Sequence, residues 1–250
     1  MTAALEIKGL YKRFGALPVS SNIHLTLERG ARHALIGPNG AGKTTLVNLI
    51  TGALSPDAGT VGLEGRDVTH LPPEARVTRG LARTFQINQL FSGLTVLENV
   101  TLSIAERTGL GGNLWRRASR DISVIDEAMD LLERLKLADD ALTVIRELPY
   151  GRQRLVEIAI TLGQNPKVLL LDEPAAGVPS AESHIILDVI AALPDEIAIL
   201  IIEHDMDVVF SFAERISVMV GGTILVEGTP GEIARDEQVR AVYLGEAADV

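Results

Sequence analysis

The amino-acid sequence predicts an α/β fold: a mostly parallel central sheet with flanking helices, an antiparallel β edge and an inserted α-helical subdomain. Three observations carry that expectation. The stretch "ALIGPNGAGKTTLVNLITG" joins an apolar strand, Ala34 to Ile36, to a glycine-rich turn and then to a helix with Leu46, Leu49 and Ile50 on one face. The runs "VLLLDEP" from Val168 and "IAILIIEHD" from Ile197 are continuously apolar and short, as parallel strands covered on both faces are. Between Gln89 and Leu148 the texture changes: Ile122, Ile125, Met129 and Leu132 recur at three- and four-residue spacing, which predicts an amphipathic helix entered through the link "TGLGGN".

The remaining elements follow from weaker patterning. "LEIKGLYKRFG" and "GTVGLEGRDV" alternate apolar and polar residues and carry turn formers, as antiparallel strands at a sheet edge do. The expected organisation is a single domain over residues 1–250, its core built from 1–88 and 149–250 with the helical subdomain, 89–148, inserted. No repeat or low-complexity segment interrupts it, and the insertion is too short for a long coiled coil.

Composition narrows the function. With 46% hydrophobic and 22% charged residues the chain has the balance of a globular protein, and the absence of cysteine removes disulfides, thiolate chemistry and Cys-based metal sites. A net charge of -10 opposes binding to a phosphate backbone, so no nucleic-acid partner is expected; the small basic cluster at Trp115, Arg116, Arg117 and Arg120 reads as a solvated face. The opening residues lack the apolar stretch of a secretory signal, and Ile197 to Ile202 is far shorter than a membrane span. Membrane association is therefore expected to come through a partner.

Residues Gly37 to Thr44, "GPNGAGKT", fit the pattern G-x-x-x-x-G-K-[ST] between a strand and a helix. Gly37, Gly40 and Gly42 allow the amides of this loop, with Pro38, Asn39 and Ala41 between them, to converge on one concavity. The helix N-terminus adds positive potential and Lys43 reaches terminal phosphates. Thr44 supplies a hydroxyl to Mg²⁺, and Thr45 continues the phosphate-facing turn. Asp172 closes the apolar strand, where a carboxylate can hold the magnesium, and Glu173 follows it. Two adjacent carboxylates permit one to order the metal and the other to polarise an attacking water, which favours hydrolysis of a nucleotide over its storage. His24, His33, His70 and His184 read as ordinary residues, and no metal beyond Mg²⁺ is expected.

With these motifs in order, the chain resembles the ABC-type ATPases over nearly its whole length. The phosphate loop is followed by "RTFQ" ending at Gln86, the helical stretch, "LPYGRQR", "LLLDEP" and "IIEHD" with His204, and Phe14 lies in "KRFG". The resemblance implies a RecA-like P-loop NTPase core with an antiparallel β subdomain. It implies ATP and Mg²⁺ as cofactors, Phe14 stacking on adenine, Gln86 joining the metal site to a membrane partner, and His204 contacting the γ-phosphate. It also implies that two such subunits sandwich two ATP molecules, each site completed by the other chain's signature loop.

Here that loop is Leu148, Pro149, Tyr150, Gly151 and Arg152, whereas the family's usual form is Leu-Ser-Gly-Gly-Gln. The lost hydroxyl removes one hydrogen bond to a charged group, about 1.5 to 3 kcal/mol; proline at the first helical position leaves folding intact. After the Asp-Glu pair the family often carries aspartate where this chain has Pro179. Both departures fall on surfaces that would act on a partner's nucleotide, which predicts an asymmetric heterodimer.

The stretch "GLARTFQINQLFSGLTVLENV", the signature form, "IIEHDMDVV" and the ending "GTPGEI...VRAVYLGE" are similar to ATP-binding subunits of branched-chain amino-acid importers. That similarity implies two transmembrane permeases, a second ATPase (a homodimer being the alternative), an external solute-binding protein, and a peripheral location on the cytoplasmic face of the plasma membrane. Two other classes use the same motifs. A soluble ABC ATPase acting on ribosomes or DNA generally has two cassettes or a long arm, and a small-molecule kinase has no use for the signature loop or His204.

Overall fold

A computed structural model describes residues 3–84, 90–109 and 122–246. The chain divides into two units, and each is described by itself: the first contains Met1–Leu81, Lys167–Glu173 and Pro194–Val250, the second Ala82–Pro166 and Pro174–Leu193.

The first unit is built on two sheets. Strands β1 (Leu5–Phe14), β2 (Leu17–Leu27), β4 (Ala58–Leu63) and β5 (Arg66–Asp67) form an antiparallel sheet in the order β2-β1-β4-β5. The β1 and β4 sequences form antiparallel strands, as their alternation predicts, in a sheet separate from the parallel one. They pair with each other and with β2, because their alternating pattern buries only one face.

The second sheet runs β10-β9-β3-β8-β7-β6, with β3 (Arg32–Ile36), β6 (Leu81–Arg83, of which only Leu81 belongs to this unit), β7 (Val168–Asp172), β8 (Ala198–Ile202), β9 (Arg215–Val220) and β10 (Thr223–Gly228). Strands β3, β7, β8 and β9 are parallel, and every residue of β3, β7 and β8 is buried, as their continuous apolar runs require. The antiparallel edge is β10 on β9. Leu35, Leu46, Leu49, Ile50, Leu170, Leu200 and Met219 join the inner face of β1 and β2 in one core. Helix α1 (Lys43–Thr51) springs from the end of β3, and α2 (Pro73–Val77), α7 (Met206–Phe212), α8 (Pro230–Ile233) and α9 (Glu237–Glu246) complete the unit.

The second unit is helical: α3 (Val96–Arg107), α4 (Ile122–Arg134), α5 (Tyr150–Gly163) and α6 (Ser180–Ala191). Thr95 opens α3 with a capping box, accepting the Glu98 N–H while the Glu98 carboxylate takes the Thr95 N–H. In α4 the buried residues are Val124, Ala128 and Leu132, whereas Ile122, expected on the apolar face, is exposed at the first position of the helix. Helix α5 belongs to this unit and not to the core in which residues 149–250 were expected. Ser103 donates to the Ile160 carbonyl at 2.6 Å, Arg107 donates to the Gly163 carbonyl at 2.8 Å, and a Cβ on Gly163 would lie 3.0 Å from the Ser103 hydroxyl, so the helix backbones approach closely.

Candidate active site

In the first unit the functional residues gather where parallel strands end. Registers Leu35↔Ile202 and Asp172↔Ile202 put the ends of β3, β8 and β7 level. With strands about 4.8 Å apart, the β3 and β7 ends are about 10 Å from each other, a gap spanned at its centre by the end of β8. The phosphate loop follows β3, Asp172 ends β7 with Glu173 next to it, and His204 lies just beyond β8. Ligands of open α/β sheets bind outside the carboxyl ends of such strands.

The back of the phosphate loop is fixed by backbone. Gly222 donates to the Ala41 carbonyl at 2.9 Å, and Ser21 donates to the Gly222 carbonyl at 2.8 Å. Gly42, with φ of 105°, precedes α1, and a Cβ there would lie 2.6 Å from the Val19 carbonyl oxygen. A Cβ on Gly37 would lie 2.1 Å from the Met219 carbonyl oxygen. These two glycines are thus demanded by packing against β2 and β9, while Gly40 has open space around it. Sequence reasoning missed Val19 and Met219 because only their carbonyls serve the loop, and a carbonyl leaves no mark on residue type. Asn39, Gly40 and Thr44 are exposed, Pro38, Lys43 and Thr45 half-buried. The Lys43 ammonium donates to the carbonyls of Gly37 and Pro38, folded over the loop it serves.

Asp172 is buried at the end of β7. Thr44 and Asp172 offer only oxygen donors, the set that suits a small hard cation, so the residues present fit Mg²⁺. Glu173 adopts a left-handed backbone, φ 47°, uncommon for a residue with a side chain, and its N–H bonds the Ile202 carbonyl at 2.9 Å. The turn lifts its half-exposed carboxylate to 3.4 Å from His204 Nδ1. Glu203 was not singled out in the sequence. It is 4% exposed, its Oε2 accepts the His204 N–H at 3.2 Å and lies 3.8 Å from His204 Nδ1. Burial, with Glu173 nearby, pushes the Glu203 carboxyl above the usual range, opposed by the His204 and Asp205 amides and the His204 charge.

Phe14 ends β1 half exposed to solvent, with the Lys12 ammonium 5.9 Å from its ring centroid. Asp57 holds that hairpin by accepting from Lys12 at 2.9 Å and from the Arg13 amide at 2.8 Å. Gln86 and the basic cluster at 115–120 lie outside the described residues.

In the second unit Leu148 is buried and Pro149 and Tyr150 are exposed. Pro149 stands as the cap before α5, not as its first helical residue as expected; its carbonyl takes the Gln153 N–H at 3.1 Å. Arg152 is tied to Asp140 through Nε at 2.7 Å. Tyr150 carries the Arg154 guanidinium 5.2 Å from its ring centroid, and a Cβ on Gly177 would touch that ring at 3.4 Å.

A phosphate-binding loop ahead of a helix, an acidic pair at the end of the next-but-one strand and a histidine between them define a P-loop ATPase. The sequence profile of the family described as "ABC transporter" matches residues 20–176, and one described as "Branched-chain amino acid ATP-binding cassette transporter" matches residues 223–249. The chain belongs to the ABC transporter family, as one of its ATP-hydrolysing subunits. It is 40% identical to the high-affinity branched-chain amino acid transport ATP-binding protein LivG of Salmonella typhimurium, over 97% of this chain and 98% of that protein. It is 37% identical to the corresponding BraF of Pseudomonas aeruginosa over the same shares. Among solved structures, an ATP-binding cassette in its ADP conformation aligns with a TM-score of 0.86 and 33% identity, over 98% of this chain and 100% of that one. A dimeric cassette in a post-hydrolysis state with ADP and Pi aligns with a TM-score of 0.75 and 25% identity, over 90% and 98%.

Proposed function

We propose that this chain energises the uptake of branched-chain or other hydrophobic amino acids, or a closely related small solute, as the ATPase subunit of an importer. The observation that carries the reading is the 40% identity to a branched-chain amino acid transport protein along nearly the full length of both chains. The separate match of residues 223–249 to a branched-chain profile supports it. The relatives named above are transport proteins, which supports this reading over a ribosome- or DNA-directed ATPase.

The residues divide the work as follows. Amides of residues 37–45 and the Lys43 ammonium bind the β- and γ-phosphates, and Phe14 stacks on adenine. Thr44, Asp172 and, by family resemblance, Gln86 hold Mg²⁺, which when bound neutralises phosphate charge. Glu173 takes a proton from the attacking water, and His204 donates to the γ-phosphate. Residues 148–152 act on the nucleotide of a second ATPase subunit. The dimeric ADP cassette supports pairing of such chains, and we assign the partner as a different ATPase, with two permeases and an external solute-binding protein, at the cytoplasmic face of the plasma membrane. No described helix is long and apolar enough to cross a membrane, so docking falls to those permeases.

The test uses tagged Glu173→Gln protein expressed in its native cell, trapped with ATP and Mg²⁺ and purified from detergent-solubilised membranes. Mass spectrometry is expected to find two permeases and a second ATPase. Ribosomal or DNA-repair proteins without any membrane protein would reject the transport reading.

A further inference from the structure

Phe14 ends β1 with its ring 52% exposed and stands near the phosphate loop: it pairs with Leu17, and Val19, two residues further along β2, sets its carbonyl against Gly42. Two residues of strand and one strand spacing put the Cα atoms of Phe14 and Val19 about 8 Å apart. An exposed ring has rotamers to lose when a flat ligand packs on it, and ordering a side chain in this way weakens binding. Here one face of the ring is already taken. The Lys12 ammonium stands 5.9 Å from the ring centroid, within reach of the attraction between a cation and an aromatic face. That ammonium is itself fixed. It donates to Asp57 Oδ1 at 2.9 Å, while Asp57 Oδ2 accepts from the Arg13 amide at 2.8 Å and the Asp57 amide donates to the Tyr11 carbonyl at 2.8 Å. Lys12 and the Arg13 amide hold the Asp57 carboxyl below the usual carboxylate range, so it stays ionised at neutral pH. Arg13 in turn donates from Nε to the Gly15 carbonyl at 2.9 Å, across the turn that follows Phe14.

We propose that Lys12, anchored by Asp57, is a positioning residue for nucleotide binding: it covers one face of the Phe14 ring and presents the other to adenine. A surface ion pair contributes little to folding. What this one does is set the ring before the nucleotide arrives, so that less of the ordering falls on the binding step. The ammonium serves the base and not the phosphates, because its charge is spent on Asp57. The gain cannot exceed the hold of a cation on an exposed aromatic face, which corresponds to about two- to fivefold in affinity. The inference rests on the reading in which Phe14 stacks on adenine.

The experiment is titration calorimetry of the full chain with two ligands, ATP and inorganic tripolyphosphate, each with Mg²⁺. The second ligand offers the phosphates without a base. Lys12→Met keeps the stem and removes the charge. It is expected to weaken ATP binding about two- to fivefold, to leave tripolyphosphate binding unchanged, and to add nothing in a Phe14→Ala background, where there is no ring to position. Should Lys12→Met not fold, Asp57→Asn, which releases the ammonium, carries the same three expectations. Unchanged ATP affinity overturns the proposal. So does an equal loss for tripolyphosphate, which would put Lys12 at the phosphates, or a loss that persists in Phe14→Ala; each of these leaves the adenine reading in place. Phe14→Ala that binds ATP as tightly as wild type would instead remove the adenine reading, and the proposal with it.

Discussion

Arg76 donates through Nη1 to the carbonyl oxygens of Leu49 and Ile50, at 2.8 and 2.6 Å, in the last turn of the helix that begins at Lys43. Its Nη2 reaches the Thr69 carbonyl at 2.7 Å and its Nε the Leu71 carbonyl at 3.0 Å, and the side chain is 1% exposed. A cation at a helix C-terminus offsets the dipole and satisfies carbonyls that have no partner within the helix.

Replacing Arg76 by methionine keeps the stem and removes every donor, leaving four carbonyls to find other partners. Arg76→Met is expected to lower unfolding free energy by about 3 kcal/mol or more. Urea unfolding of the full chain measures it, and a loss below about 1 kcal/mol would show that water replaces the guanidinium.

Lys43 gives a second expectation. In this structure its ammonium rests on the Gly37 and Pro38 carbonyls. Bound phosphates would draw it away from them, trading neutral acceptors for charged ones. Lys43→Ala is expected to weaken ATP binding tenfold to a hundredfold, about the worth of one hydrogen bond to a charged group. Titration calorimetry decides, and unchanged affinity would contradict the phosphate-loop assignment.

Arg76 and Lys43 mark the line between what was legible and what was not. The phosphate loop and strands β3, β7 and β8 were readable because two-sided burial writes itself as a continuous apolar run and the turn demands glycine. Strand β2 and the pair β9-β10 were not read, since "LPVSSNIHLTL" has its apolar residues spread through polar ones and "RISVMV" carries a buried serine. On α4 the spacing placed Leu132 inside and Ile125 and Met129 half inside, and missed only at Ile122, which is exposed in the first turn while Val124 and Ala128 are buried. Arg76 and Glu203 could not be found: the fold brings the partners of Arg76 in from 26 and 27 positions away, and Glu203 takes the amide of its neighbour His204, a contact that leaves no mark on residue type.

His33 is such a residue with a pH consequence. Its Nε2 lies 2.8 Å from the Ser217 hydroxyl, which donates to the Glu227 carboxylate at 3.0 Å, so the histidine must be the donor to the serine. Burial pushes its pKa from 6.5 down to about 4; Glu227 opposes the shift and Arg215 adds to it. Between those values the unfolded chain binds the extra proton, so the stability due to a neutral His33 is whole above pH 6.5 and is lost as pH falls toward 4. The loss is of the order of 3 kcal/mol. Urea unfolding of wild type and His33→Gln across this window is expected to show a shallower acid decline in the variant. Carboxylates titrate in both proteins, so the difference isolates His33, and parallel curves would mean that it is not buried neutral.

Pro149 tests the asymmetry of the proposed dimer. It caps α5 with φ of -56° and ψ of 151°, and its own side chain makes no capping hydrogen bond to that helix. Serine there would add a cap worth about 0.5 to 2 kcal/mol and give up about 0.4 to 1 kcal/mol of proline rigidity. The stability of Pro149→Ser is therefore expected to stay within about 1 kcal/mol of wild type. Its effect on turnover is expected to be larger and confined to one site. In the intact complex, Glu173→Gln in this chain silences the site on its own phosphate loop, leaving the site that residues 148–152 complete. There the added hydroxyl is expected to raise turnover about tenfold, the worth of one restored hydrogen bond to a charged group. With the partner's glutamate disabled instead, turnover is expected to be unmoved, because this signature loop no longer faces an active site. An equal rise in both backgrounds would place the limiting step outside the nucleotide sites and remove the asymmetry argument.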